Sequence, residues 1–154
     1  MVQNKVKVLI IDDSAVMRKF LTDTLSRSNE IEVVATAIDA TIAARKINTL
    51  NPDVITLDVE MPGMDGLTFL QKLMISNPVP AIMVSSLTAK GTSTAVKALE
   101  IGAFDIIGKP QFDKQESTSE FAHDLIEKVI AAGHTKKTIK KRVPVKLEVE
   151  QKYS

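Results

Sequence analysis

Residues 53–66 read Asp53-Val54-Ile55-Thr56-Leu57-Asp58-Val59-Glu60-Met61-Pro62-Gly63-Met64-Asp65-Gly66. Val54 to Leu57 is a short apolar run rich in β-branched residues, which reads as a buried strand. Met61 to Gly66 is turn chemistry, and Leu67, Leu70, Leu73 and Met74 then recur at helical spacing. A strand that passes through a tight turn into a helix leaves Asp58 just past the strand's C-terminal end.

The same grammar repeats along the chain. Val6–Ile11 reads as a strand followed by Asp12 and Asp13, and Ser14 to Arg27 carries Val16, Met17, Phe20, Leu21 and Leu25 at helical spacing. Glu32 to Ala37 is a second strand, with a helix over Ala40 to Leu50. Ala81 to Val84 precedes Ser85, Ser86 and a helix from Thr92 to Glu100 that Gly102 stops. Asp105 to Ile107 leads through Gly108 to Lys109-Pro110. The last helix, Ser119 to Ala132, places Phe121, Leu125, Ile126 and Val129 on one face and is expected to end at Gly133.

Five strand-helix units with right-handed crossovers predict an α/β fold, a doubly wound five-stranded parallel sheet in the order 2-1-3-4-5. Residues past the ends of parallel strands gather on one rim, and the switch point between strands one and three would bring Asp12, Asp13 and Asp58 together. Ser85 and Lys109 join them from strands four and five. Carboxylates, a hydroxyl and an ammonium on one rim suit the binding of a divalent cation and the acceptance of a phosphoryl group.

Composition narrows the remaining possibilities. The chain has 154 residues, 44% of them apolar, enough for one domain with its own core and a tail. Without cysteine, disulfides, thiolate metal sites and thiol catalysis are excluded. No apolar stretch approaches the ~20 residues of a membrane span, and Met1 to Lys7 lacks a signal-peptide core, so a cytoplasmic location without membrane insertion is the expectation. Charge is uneven: 13 Lys and Arg face 17 Asp and Glu up to Gly133, against 7 and 2 from His134 onward. The tail, with Lys136, Lys137, Lys140, Lys141, Arg142 and Lys146, has no apolar stripe and is broken by Pro144. It reads as a basic flexible linker over 134–154, after a domain over 1–133. Dispersed cations without interleaved aromatics suit a connector better than nucleic-acid binding.

Each rim residue also has a structural explanation. Asp13 or Ser14 can cap the first helix, and Ser85 or Ser86 can cap the next one or bond locally. Lys109 alone would be a solvated lysine. Asp12 is harder to explain so, because a carboxylate after an apolar run and facing two others is repelled unless a cation is present. His123 and His134 are isolated, and the methionines suit the core or the loop beside the rim.

Val8-Leu9-Ile10-Ile11-Asp12-Asp13-Ser14, the segment Asp53 to Gly66 and Lys109-Pro110 together resemble the receiver domain of two-component response regulators, a CheY-like fold, over roughly residues 5–133. Asp58 to Leu67, Met83-Val84-Ser85-Ser86-Leu87-Thr88 and Ala98-Leu99-Glu100-Ile101-Gly102-Ala103 are most similar to the receivers of the chemotaxis protein-glutamate methylesterases, CheB. The resemblance implies that Asp58 accepts a phosphoryl group from a histidine kinase. It also implies that Mg²⁺ binds Asp13, Asp58 and the backbone carbonyl of Glu60, with Asp12 acting through water. Lys109 would contact the phosphate, the Lys109-Pro110 bond would be cis, and Ser85 would be the switch hydroxyl that pulls the Ser85 to Ala89 loop. The family's switch aromatic is replaced by Ile106, with Phe104 two positions earlier and, by strand alternation, on the same face.

In that family a linker joins the receiver to a methylesterase and deamidase domain acting on chemoreceptors. No Gly-x-Ser-x-Gly motif of a hydrolase occurs here, so the chain alone is expected to be regulatory and to lack esterase activity. A free-standing CheY-like binding module is the alternative. A small phosphatase with Asp58 as nucleophile and Glu60 as general acid is a third reading.

Overall fold

The computed structural model describes residues 4–86 and 92–139. Five strands alternate with five helices: β1 (Val6–Ile11), α1 (Ala15–Leu25), β2 (Ile31–Ala37), α2 (Ala40–Leu50), β3 (Val54–Asp58), α3 (Gly66–Ser76), β4 (Ala81–Ser85), α4 (Ser93–Ile101), β5 (Asp105–Gly108) and α5 (Gln115–Ile139). The strands form one sheet in the order β2-β1-β3-β4-β5, every pairing parallel. This is the expected α/β architecture. The β1–β2 register shifts between Val8 and Leu9, so Val34 is passed over as a bulge.

Strand alternation divides the apolar residues between two cores. Leu9, Ile11, Ile55, Leu57, Met83 and Ile106 face α2, α3 and α4, whereas Val8, Ile10, Val54, Ile82, Val84 and Ile107 face α1 and α5. Val8 to Ile11 are therefore buried on both sides, which is why β1 reads as an unbroken apolar run. Among the described residues no helix is long and apolar enough to cross a membrane.

The last helix departs from the expectation at both ends. It begins at Gln115 and runs through Gly133 to Ile139, six residues beyond the expected stop. Its first turn has no apolar residue, so a search for an apolar stripe starts one turn too late. Gly133 is a contact residue and not a terminator: a Cβ there would lie 2.7 Å from both methyl carbons of Val6. The helix meets the start of β1 at glycine's minimal separation. The tail beyond residue 139 lies outside the described residues.

Candidate functional site

The C-terminal ends of β1, β3, β4 and β5 bring the predicted rim residues together. Asp12, Asp13 and Asp58 each offer a carboxylate oxygen, all within 4.8 Å of one another. Asp12 and Asp58 are buried and Asp13 is exposed. The Lys109 ammonium lies 3.4 Å from Asp58 Oδ1, the same oxygen that accepts the Glu60 backbone N–H at 3.1 Å.

Local chemistry positions these groups. Ser14 takes the cap of α1, accepting the Met17 N–H at 3.2 Å, which resolves the Asp13-or-Ser14 alternative and leaves Asp13 out of the cap. Asp12 Oδ1 accepts the Ser14 N–H at 2.9 Å. Asp65 caps α3 by accepting the Thr68 N–H at 2.8 Å. Gly66 opens that helix directly against the end of β3: a Cβ there would collide with the Asp58 carbonyl oxygen and lie 2.9 Å from Val59 Cα. A side chain at Gly66 would therefore displace the strand end that carries Asp58.

The electrostatics of the pocket are unbalanced toward negative charge. Burial, and then the neighbouring Asp12 carboxylate, raise the Asp58 pKa from 3.8 to about 7, against the opposing pull of Lys109 and the Glu60 N–H. Asp12 is also raised, chiefly by burial, with the Ser14 N–H and Lys109 opposing. Among the described residues Asp12 Oδ2 is buried without a hydrogen-bond partner. A buried carboxylate oxygen so placed, beside two more carboxylates, fits an oxygen-seeking divalent cation such as Mg²⁺.

Residues 8–122 match the response regulator receiver domain family. The chain belongs to that family. It is 51% identical over 134 residues to the protein-glutamate methylesterase/protein-glutamine glutaminase 1 of Xanthomonas campestris pv. campestris, a match covering 87% of this chain and 37% of that protein. The chain thus spans little more than a third of the curated relatives it matches. Among solved structures, the response regulator domain of Thermotoga maritima CheB superposes with a TM-score of 0.78 at 39% identity, covering 85% of this chain and 98% of that one. A chain of the CheX-CheY-BeF3-Mg+2 complex from Borrelia burgdorferi gives a TM-score of 0.69 at 29% identity, covering 83% of this chain and 89% of that one. The chain is a CheB-like receiver, which sets the phosphatase reading aside.

Several expectations are corrected within this frame. No peptide bond among the described residues is cis, so Lys109-Pro110 is trans. The two isomers before proline differ by only about 0.5–1 kcal/mol, so the dipeptide by itself does not select one. Phe104 precedes β5 at the opposite, N-terminal rim, where its N–H donates to Ala81 O and it lines a small cavity with Met74, Pro78 and Gly102. Its distance along the strand direction, not its side of the sheet, keeps it from the site. Ile106 is buried in the core beneath α4. Ser85 does not cap α4, a role taken by Thr92. Its hydroxyl donates to Glu60 Oε2 at 2.6 Å. The loop expected to move with Ser85 runs into residues 87–91, outside the described residues.

Two participants were not legible as such in the sequence. Arg18, one turn into α1, donates from Nη1 to the Asp12 backbone carbonyl at 2.9 Å. The Glu60 side chain reaches β4, where its other oxygen accepts the Ser86 N–H at 3.4 Å and the Ser86 hydroxyl at 3.3 Å. The spacing of Glu60 from Asp58 was visible, but only the β3–β4 pairing identifies what the side chain touches.

Proposed function

We propose that this receiver accepts a phosphoryl group on Asp58 from a phosphohistidine of a histidine kinase, with Mg²⁺ held by Asp12, Asp13, Asp58 and the backbone carbonyl of Glu60. The observation that carries this reading is the Lys109 ammonium 3.4 Å from Asp58 Oδ1 beside two further carboxylates. In the transfer, an Asp58 carboxylate oxygen attacks phosphorus, the P–N bond to imidazole breaks, and a P–O bond forms to give an acyl phosphate. When bound, the cation supplies charge neutralisation and an oxygen-coordinating template. Lys109 neutralises phosphoryl oxygens from the β5 side, and the Ser85 hydroxyl donates to the phosphoryl group once it is in place.

In a longer chain of the kind its relatives form, phosphorylation at Asp58 would regulate an attached methylesterase and deamidase domain and so act indirectly on chemoreceptors. The basic tail over 134–154 would form the connector, its first residues continuing α5. The test is exposure of the protein to acetyl phosphate with Mg²⁺, followed by intact-mass measurement. One phosphoryl group is expected on the wild type and none on Asp58→Asn. Undiminished labelling of Asp58→Asn would sink the assignment.

A further inference from the structure

The Ser85 hydroxyl, which the proposed function sends to the phosphoryl group, is already engaged. It is fully buried and donates at 2.6 Å to Glu60 Oε2, within the range of a charge-assisted O–H···O⁻ bond. Glu60 Oε1 takes both donors of the next residue, the Ser86 N–H at 3.4 Å and its hydroxyl at 3.3 Å. One carboxylate from the loop after β3 therefore grips two consecutive residues at the end of β4. The grip is also tied to the acceptor, since the Glu60 N–H donates to Asp58 Oδ1.

A serine hydroxyl has one proton to donate. It cannot serve the Glu60 carboxylate and a phosphoryl oxygen at the same time. We propose that Glu60 is a positioning residue that latches Ser85 and Ser86 in the unmodified domain and competes with the phosphoryl group on Asp58 for the Ser85 hydroxyl. This rests on the reading of Asp58 as phosphoacceptor and Ser85 as switch. A phosphoryl group two residues from Glu60 acts on the latch in two ways that reinforce each other: its charge repels the carboxylate, and its oxygens offer Ser85 another acceptor. Released from Glu60, Ser85 and Ser86 at the end of β4 are free to take a second arrangement. Glu60 thus sets how much of the phosphodonor's driving force is spent on opening the switch.

The test is a double-mutant cycle in which beryllofluoride, a phosphoryl mimic, is titrated at fixed Mg²⁺ and followed by NMR amide shifts. Removing a competing hydrogen bond of this class is expected to tighten binding by about 5- to 30-fold in Glu60→Ala. In the Ser85→Ala background the same substitution should give a clearly smaller gain, because the contested hydroxyl is gone and only relief of the charge repulsion remains. Glu60→Gln, whose amide oxygen still accepts from Ser85, should fall between wild type and Glu60→Ala. An equal gain from Glu60→Ala in both backgrounds would mean that Glu60 acts only by its charge, and would overturn the latch. If Ser85→Ala fails to fold, Glu60→Gln decides, and an affinity equal to that of Glu60→Ala overturns the latch. No binding to folded wild-type protein would instead remove the phosphoacceptor reading, and the competition with it.

Discussion

Lys109 ties two neighbouring strand ends to the acceptor carboxylate: its ammonium lies 3.4 Å from Asp58 Oδ1 while its backbone N–H donates to the Ser85 carbonyl at 2.9 Å. Because β4 lies between β3 and β5, the Lys109 and Asp58 side chains together bridge roughly two strand spacings, about 10 Å. The Asp58 side chain is 1% exposed and that of Lys109 19%, so solvent screens this pair poorly. Lys109 opposes the upward shift of the Asp58 pKa. Lys109→Met is therefore expected to raise that pKa above about 7. Carbon-13 NMR titration of the carboxyl in metal-free protein checks this, and an unchanged midpoint would show that the pair has no electrostatic consequence.

The pH dependence of stability has a definite sign. Asp58 holds its proton more tightly in the folded than in the unfolded chain, its pKa moving from 3.8 to about 7. The associated stabilisation is fully present below the unfolded value and is lost as pH rises through about 7. Metal-free protein should lose stability across this window, and Asp58→Asn should flatten the profile and exceed wild type above it, by about 1–3 kcal/mol. Urea melts in chelator over a pH series measure this. A wild-type profile parallel to that of Asp58→Asn would refute the shift.

Cation binding should appear as linkage. Mg²⁺ at 100 times its Kd stabilises a folded protein by about 2.7 kcal/mol. Asp13 is exposed, so Asp13→Ala should leave the fold intact while removing most of the Mg²⁺-dependent rise in Tm. Equal Mg²⁺-induced shifts in the two proteins would count against the site.

The close approach of α5 to β1 makes a separate prediction. In an open helix interior, Gly→Ala stabilises by about 1 kcal/mol. At Gly133 the added Cβ would sit 2.7 Å from both Val6 methyl carbons, so Gly133→Ala should instead destabilise by about 1–3 kcal/mol. Adding Val6→Ala removes the obstruction, and the helix-propensity gain should then reappear as a favourable coupling between the two substitutions. Denaturant melts of the four proteins give that coupling directly, and strict additivity would show that the contact is slack.

Much of this protein is determined by sequence alone, because the relevant signals are short in range. Apolar runs buried on both faces, helical stripes and turn residues specify the five strand-helix units. Parallel strands then oblige Asp12, Asp13, Asp58, Ser85 and Lys109 to share one rim. Where the local signal is absent, the reading fails: the first turn of α5 carries no apolar residue, and Gly133 has the form of a helix stop although it serves a contact with a residue 127 positions earlier. The partners of Glu60 and Arg18, and the place of Phe104 at the far rim, were decided only by tertiary structure. Glu60 meets Ser85 across 25 residues because β3 and β4 pair in one register, with Asp58 opposite Val84. No periodicity or spacing encodes that register's consequence for a single side chain, since it arises from the packing of whole elements against each other.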